Sequence, residues 1–194
     1  MNCRSRFVLC VAAILVAVPV FAQDHGDMDE QAMMEVWMKA ATPGDVHAYL
    51  ASFEGTWTVT SKIFMDPSQP PMEATGTAKN TMILGGRFLQ DELESTMMGM
   101  PMQGLGITGY NNTTGQIEFT WMDNMGTMMM MGAGTIEGKT MTLFSTYMDP
   151  MMQKETTSRL VTVLLGPDEY TFTMYAAGGD EDMVMMEAHY TRKK

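Results

Sequence analysis

The sequence predicts an all-β protein: an antiparallel meander of ten strands closed into a barrel, behind two short N-terminal helices. Three observations predict it. From Thr56 onward apolar residues follow a period of two, beginning with Trp57, Val59, Ile63 and Met65. The stretches are separated by turn formers, among them Gly85-Gly86, Met100-Pro101, Asn111 through Gly115, Glu137-Gly138, Asp149-Pro150, Gly166-Pro167-Asp168 and Gly178-Gly179-Asp180. No helical pattern intervenes, so consecutive strands pair as neighbours, and closure removes the edges of so long and twisted a sheet.

The chain divides into three parts. Residues 1–22 read as a signal peptide: Arg4 and Arg6 precede an apolar run from Phe7 to Val18, and Val20-Phe21-Ala22 offers the small residues that signal peptidase accepts. A periplasmic or secreted protein beginning at Gln23 is expected. Both cysteines, Cys3 and Cys10, fall in the removed segment, which leaves the mature chain no disulfide and no thiol nucleophile. The apolar run is too short to span a bilayer comfortably, and no later segment reaches the length that spanning needs.

Residues 23–41 form an acidic arm, Asp24 to Glu30, and a first helix from about Asp29 to Ala40 whose apolar side carries Met33, Met34, Val36 and Trp37. Residues 42–194 form the barrel domain. It opens with a helix capped by Thr42, with Pro43 at the first helical position and Asp45 three residues after the cap. Val46, Leu50 and Phe53 share one face of that helix, which ends near Phe53 to Gly55. The first strand then runs from Thr56 to Met65, with a bulge expected near its middle. Asp66-Pro67-Ser68-Gln69-Pro70-Pro71 stops it. Nine further strands are predicted at about 72–84, 87–96, 103–111, 116–123, 127–136, 139–147, 155–165, 169–176 and 183–192. A ten-stranded barrel has more interior than side chains easily fill, so a cavity is expected.

Several of these residues together resemble a known family. Gly55-Thr56-Trp57, Leu84-Gly85-Gly86-Arg87-Phe88, Gly104-Leu105-Gly106-Ile107-Thr108-Gly109-Tyr110-Asn111, Trp121-Met122-Asp123 and Tyr190-Thr191-Arg192 resemble the DUF1579 family over about His47 to Arg192. The resemblance implies a calycin-like barrel, the architecture of lipocalins, fatty-acid-binding proteins and haem-binding nitrobindins, and no established reaction. It also implies that Arg192 lies over the Trp57 ring at the barrel base. Asn111 departs from the Asp that members often carry, which argues against a charge-dependent role there.

Composition narrows the function. A net charge of −11 without a basic patch argues against nucleic acid and anionic lipid as partners. The sequence has no His-Glu-x-x-His zinc motif and no Gly-x-Ser-x-Gly elbow, and Gly104, Gly106 and Gly109 sit within a strand rather than ahead of a phosphate-binding helix. The expected function is non-enzymatic binding of a small apolar or amphipathic ligand in the barrel interior. Tyr110, Phe119 and Trp121 are the candidate cavity aromatics, Arg87 the candidate cation for a ligand carboxylate, and Glu92 with Glu94 the candidate polar pair; Asp91 points away from that pair. Arg159 is a second candidate cation. His189 would reach a haem axial position if its face of the last strand turned inward, and is exposed if Val184, Met186, Ala188 and Tyr190 turn inward instead.

The 26 methionines raise copper as the alternative. Thioethers are soft ligands that favour Cu(I), and Met97, Met98, Met100 and Met102 surround a Gly-Pro turn. Cleavage before Gln23 would also place His25 third in the chain, where the amine, two amides and imidazole form a square-planar set for Cu(II) or Ni(II). The competing reading of methionine is packing: it is flexible and polarizable and fills irregular apolar space. The four-residue run from Met128 to Met131 divides between opposite strand faces, which favours packing there.

Overall fold

The computed structural model describes residues 29–66, 68–150, 152–177 and 183–194. Helices α1 (Glu30–Ala41) and α2 (Asp45–Ala51) precede strands β1 (Gly55–Ile63), β2 (Met72–Ile83), β3 (Phe88–Met97), β4 (Met100–Asn111), β5 (Gln116–Asp123), β6 (Met130–Glu137), β7 (Thr140–Asp149), β8 (Lys154–Gly166), β9 (Glu169–Ala177) and β10 (Met183–Arg192). Each strand is antiparallel to its chain neighbours and β10 returns to β1, so the barrel is closed.

Alternation decides what the interior holds. Trp57, Val59 and Ser61 of β1, Ala78 and Asn80 of β2, Leu89 and Leu93 of β3, and Leu143 and Ser145 of β7 are buried, while their neighbours of opposite parity face out. Trp57, Val59, Ser61 and Ile63 already share one parity, so β1 needs no switch of side, and its pairing with β2 and β10 is continuous. The bulge expected in β1 is therefore absent. Register shifts occur instead in β10 between Val184 and Met186 and in β8 between Leu164 and Gly166.

Two local corrections concern turns. The cap of helix α2 lies two residues after the predicted one, at Gly44, because the Gly44 N–H donates to His47 Nδ1 at 3.0 Å, while Thr42 closes α1 by donating its hydroxyl to Met38 O at 2.6 Å. The turn between β3 and β4 is Met98-Gly99, both with positive φ (53° and 76°), and not Met100-Pro101. Pro101 instead lies inside β4 opposite Thr96.

The two ends of the barrel differ. At the base, where β1 begins, α2 buries Leu50 over β2, β3 and β4, and Phe53 and Trp57 follow it into the core. The Trp57 indole N–H donates to Phe53 O at 2.9 Å, and the Arg192 guanidinium lies 4.0 Å over the Trp57 ring. Arg192 also donates to Ser52 O at 3.0 Å, Pro167 O at 2.8 Å and Glu54 O, so its charge is satisfied while its stem covers the aromatic plug. Helix α1 contributes nothing to this core: Trp37 is 71% exposed, and the helix is tied down through its C-terminal carbonyls by Arg87 and Asn112.

The opposite end is a methionine rim. In an up-and-down barrel the ends of odd strands and the starts of even strands meet at one mouth. Met72, Met97, Met100, Met102, Met125, Met130, Met148 and Met183 all stand there. Outside α1, only Met82 and Met141 among the methionines of the described residues stand at the base. Also among the described residues, no helix is long and apolar enough to cross a membrane.

Candidate functional site

The interior between plug and rim contains an unusual polar pair. Asn80 of β2 and Asp91 of β3 are directly opposite in register and both turn inward. Asp91 Oδ1 and Asn80 Oδ1 are fully enclosed and accept no hydrogen bond. Buried oxygens are ordinarily paired, and an orphan costs about 1–3 kcal/mol. Asn80 Nδ2 donates to the Tyr170 hydroxyl at 3.4 Å, and the Tyr170 ring stacks on Tyr190 with centroids 4.1 Å apart. Tyr170 in turn meets Phe53 and Trp57 edge to face, so this pair rests on the aromatic plug.

Electrostatics follow from this enclosure. Burial, and then the neighbouring Glu92 charge, push the Asp91 carboxyl up to about 7. Burial also holds the phenols of Tyr170 and Tyr190 well above their usual range, with Asp91 raising both further. Near neutral pH the site therefore consists of neutral phenols and one carboxyl divided between its protonated and ionised forms.

Glycine spacing positions the facing wall. Gly104 and Gly106 of β4 point inward, and a Cβ on Gly104 would collide with the Trp121 ring. The absent side chains let the indole lie flat on β4, where its N–H donates to Asp123 Oδ2 at 3.0 Å. A Cβ at Gly106 would lie 3.2 Å from Trp121 and 3.6 Å from Asp91 Cβ, so the indole and the Asp91 side chain flank the same glycine. Gly109 serves the other surface, where Phe88 covers it from outside.

The predicted site residues separate accordingly. Tyr110, Phe119 and Trp121 face inward; Phe119 is buried, and Tyr110 packs its ring edge to face with His47 under α2 at 5.9 Å. Glu92 and Glu94 are exposed on the outer face, which corrects their placement as a cavity pair. The parity that separates them from Asp91 holds, but Asp91 shares its parity with Leu89 and Leu93 and goes inside with them. Arg87 is not a cavity cation: it donates to Ala41 O at 3.0 Å and to Leu84 O at 3.2 Å, fastening α1 to the β2–β3 turn. Arg159 lies outside, 4.0 Å over the Tyr175 ring.

His189 faces out and meets Glu169 Oε1 at 2.6 Å, because Ala188 and Tyr190 take the inward positions. It cannot offer an axial nitrogen to a haem inside the barrel. The four methionines of the β3–β4 hairpin do not form one cluster. Met98 and Met100 are 60% and 49% exposed, whereas Met102 is buried and Met97 packs against the core. His25 lies outside the described residues, and no group of three or more His, Cys, Asp or Glu suited to a metal occurs among them.

Two open grooves of about 480 and 500 Å³ lie on the outer surface. The first runs along β2, β1, β10 and β9 past Lys62, Glu73, Glu187 and His189, and the second crosses β3 to β6 between Phe88, Ile107 and Met131.

A family model described as "Protein of unknown function (DUF1579)" matches residues 42–192. The chain belongs to the DUF1579 family. No curated protein matches it. Among solved structures it is similar to one described as a redesigned beta barrel, at 15% identity and a TM-score of 0.41, over 75% of this chain and 96% of that one. In this DUF1579 barrel the Gly55-Thr56-Trp57 and Tyr190-Thr191-Arg192 segments meet at the base. Gly55 adopts φ 124°, and a Cβ there would strike the Arg192 guanidinium at 2.5 Å. Asn111 shapes the β4–β5 turn, since its side-chain carbonyl accepts from the N–H groups of Thr113 and Thr114 and its amide donates to Glu118.

Proposed function

We propose that this protein is a non-enzymatic binding barrel for a small amphipathic molecule, exported to the periplasm or secreted. The apolar body lies among the inward aromatics and the methionines of the mouth, and the polar head descends to Asn80 and Asp91. The observation that carries this reading is the pair of enclosed, partnerless oxygens on opposed inward residues of β2 and β3. A bound head group would supply the missing partners, and flexible thioethers suit an entrance that adapts to its cargo.

Fluorescence titration with Nile red, a neutral apolar reporter, tests it. Saturable binding at one site per chain, weakened at least about tenfold by Trp121→Ala, is expected. No saturable binding, or binding indifferent to Trp121, would contradict it. Export is tested by mass spectrometry of the cell-envelope form, with a chain beginning at Gln23 as the expected result.

Cu(I) handling is the second reading, and one observation favours it. Asn124 N–H donates to Gln103 O at 3.0 Å, which brings the following Met125 beside Met102, while Met97 lies diagonally across the β3–β4 ladder. The thioethers this reading points to are Met97, Met102 and Met125. Competition against a chromophoric Cu(I) chelator should weaken in a variant with these three changed to Leu, and an unchanged affinity would remove this reading.

A further inference from the structure

The proposed binding function leaves the chemistry of the head group open, and the interior restricts it. Both enclosed, partnerless oxygens at the Asn80–Asp91 pair are acceptors. Asn80 directs one of its two amide hydrogens to Tyr170, and the unpartnered atom it presents is its oxygen. None of the lysines or arginines among the described residues is buried, and Arg192 is engaged at the base with carbonyls, with Asp168 and with Trp57. An inward carboxylate thus has no cationic partner of its own among the described residues. The Trp121 indole lies with one face on Gly104 and Gly106, which leaves the other face to the interior and its six-membered ring against the glycine that Asp91 also flanks. Trp121 and Asp91 are half-buried as residues, while Asp91 Oδ1 itself is enclosed.

We infer that Asp91, Asn80 and the free face of Trp121 receive the ammonium head of a primary amine carried on an apolar body. An ammonium presents three donors and no acceptor, and it meets two oxygens directly. Its charge is balanced by the carboxylate, and the indole face adds a cation–π contact. With Asp91 ionised, a hydroxyl head has one hydrogen for the two oxygens, and a carboxylate head would set two like charges together in an enclosed space.

The amine site makes binding depend on pH. Asp91 must ionise to hold the ammonium, and its carboxyl releases its proton near 7. The groups that face it are Asn80 on β2, the glycines of β4, Trp121 and Asp123 on β5, Tyr170 on β9 and Tyr190 on β10, with Glu92 beside it on β3. The two phenols are held above their ordinary range and stay neutral through this window. Affinity for an alkylamine should therefore rise by about tenfold between pH 6 and pH 8, while affinity for an alcohol should not.

This inference rests on the binding reading, and one experiment separates them. Octylamine, octanol and octanoate compete with Nile red for the full-length mature protein at pH 6 and pH 8. The expected order at pH 8 is octylamine first by at least about tenfold and octanoate last, with the amine preference abolished in Asp91→Asn. Equal displacement by octylamine and octanol, or an amine preference that survives Asp91→Asn or ignores pH, overturns the amine assignment and leaves the binding barrel intact. Failure of Nile red itself to bind overturns both. The pH comparison uses the unaltered protein, so the test holds even if the variant fails to fold.

Discussion

Asp91 illustrates at the scale of one residue how a site can weaken the fold that carries it. Its carboxyl titrates near 7 in the folded chain against an ordinary value of 3.8. Below about pH 3 both folded and unfolded forms are protonated and the group is neutral in its effect. As pH rises toward 7 the unfolded chain ionises while the folded one resists, so stability falls through that window. Asp91→Asn should leave stability unchanged at about pH 3 and raise it at pH 8, by up to roughly 4 kcal/mol. Urea unfolding at the two pH values is the check, and an equal gain at both would assign the effect to packing. His47 works in the opposite sense. Burial, and then the charge of Arg87, hold its pKa below the ordinary value, against a smaller raising effect from its hydrogen bond to the Tyr110 backbone. Its neutral Nδ1 accepts from Gly44. As pH falls below about 6.5 the unfolded chain gains a proton that the folded chain resists, and stability declines. His47→Ala should cost about 0.5–2 kcal/mol at pH 7.5 and abolish that acid-side decline, as thermal unfolding at pH 7.5 and 5.5 would show. The sequence contained the signal for Asp91, since Leu89 and Leu93 share its parity, but the acidic pair Glu92 and Glu94 drew attention to the wrong face. The His47 cap left no such signal, because a side chain accepting from a glycine N–H is not a motif of residue types.

At the scale of elements, strand alternation and turn residues make most of the architecture legible: ten segments of alternating residues become ten strands. The departures occur where backbone conformation rather than residue type decides. Met98 adopts a positive φ that its side chain does not advertise, so the hairpin turns there and Pro101 joins β4. The β10 bulge at Met185 likewise moves Val184 from the face of Met186 to a position opposite Tyr175. Close packing in the wall depends on glycine in a way that can be measured. A Cβ at Gly134 would collide with the Thr142 carbonyl oxygen of the neighbouring strand. Gly134→Ala must separate β6 from β7 and should cost about 1–3 kcal/mol, read as a lower urea midpoint. Gly104→Val acts differently, because the obstacle is the Trp121 side chain rather than backbone. It should shift tryptophan emission and weaken Nile red binding while costing less stability than Gly134→Ala.

The whole molecule has a direction. An aromatic plug of Phe53, Trp57, Tyr170 and Tyr190 under Arg192 seals one end, and methionine lines the other. The methionine excess was visible in the composition, but its asymmetry emerges only when a meander sends alternate strand ends to one rim. That arrangement gives the thioethers a common place without requiring that they share a metal. Between plug and rim stand the Asn80 and Asp91 oxygens, and in the proposed function they await a ligand's head group. The most direct measurement is a crystal structure of the protein soaked with octylamine at pH 8. Density is expected inside the barrel, with the amine nitrogen about 3 Å from both Asp91 Oδ1 and Asn80 Oδ1 and its chain rising past Trp121 toward the methionine rim. Octylamine confined to the outer grooves beside His189 or Phe88, with the interior oxygens still partnerless, would contradict the proposal.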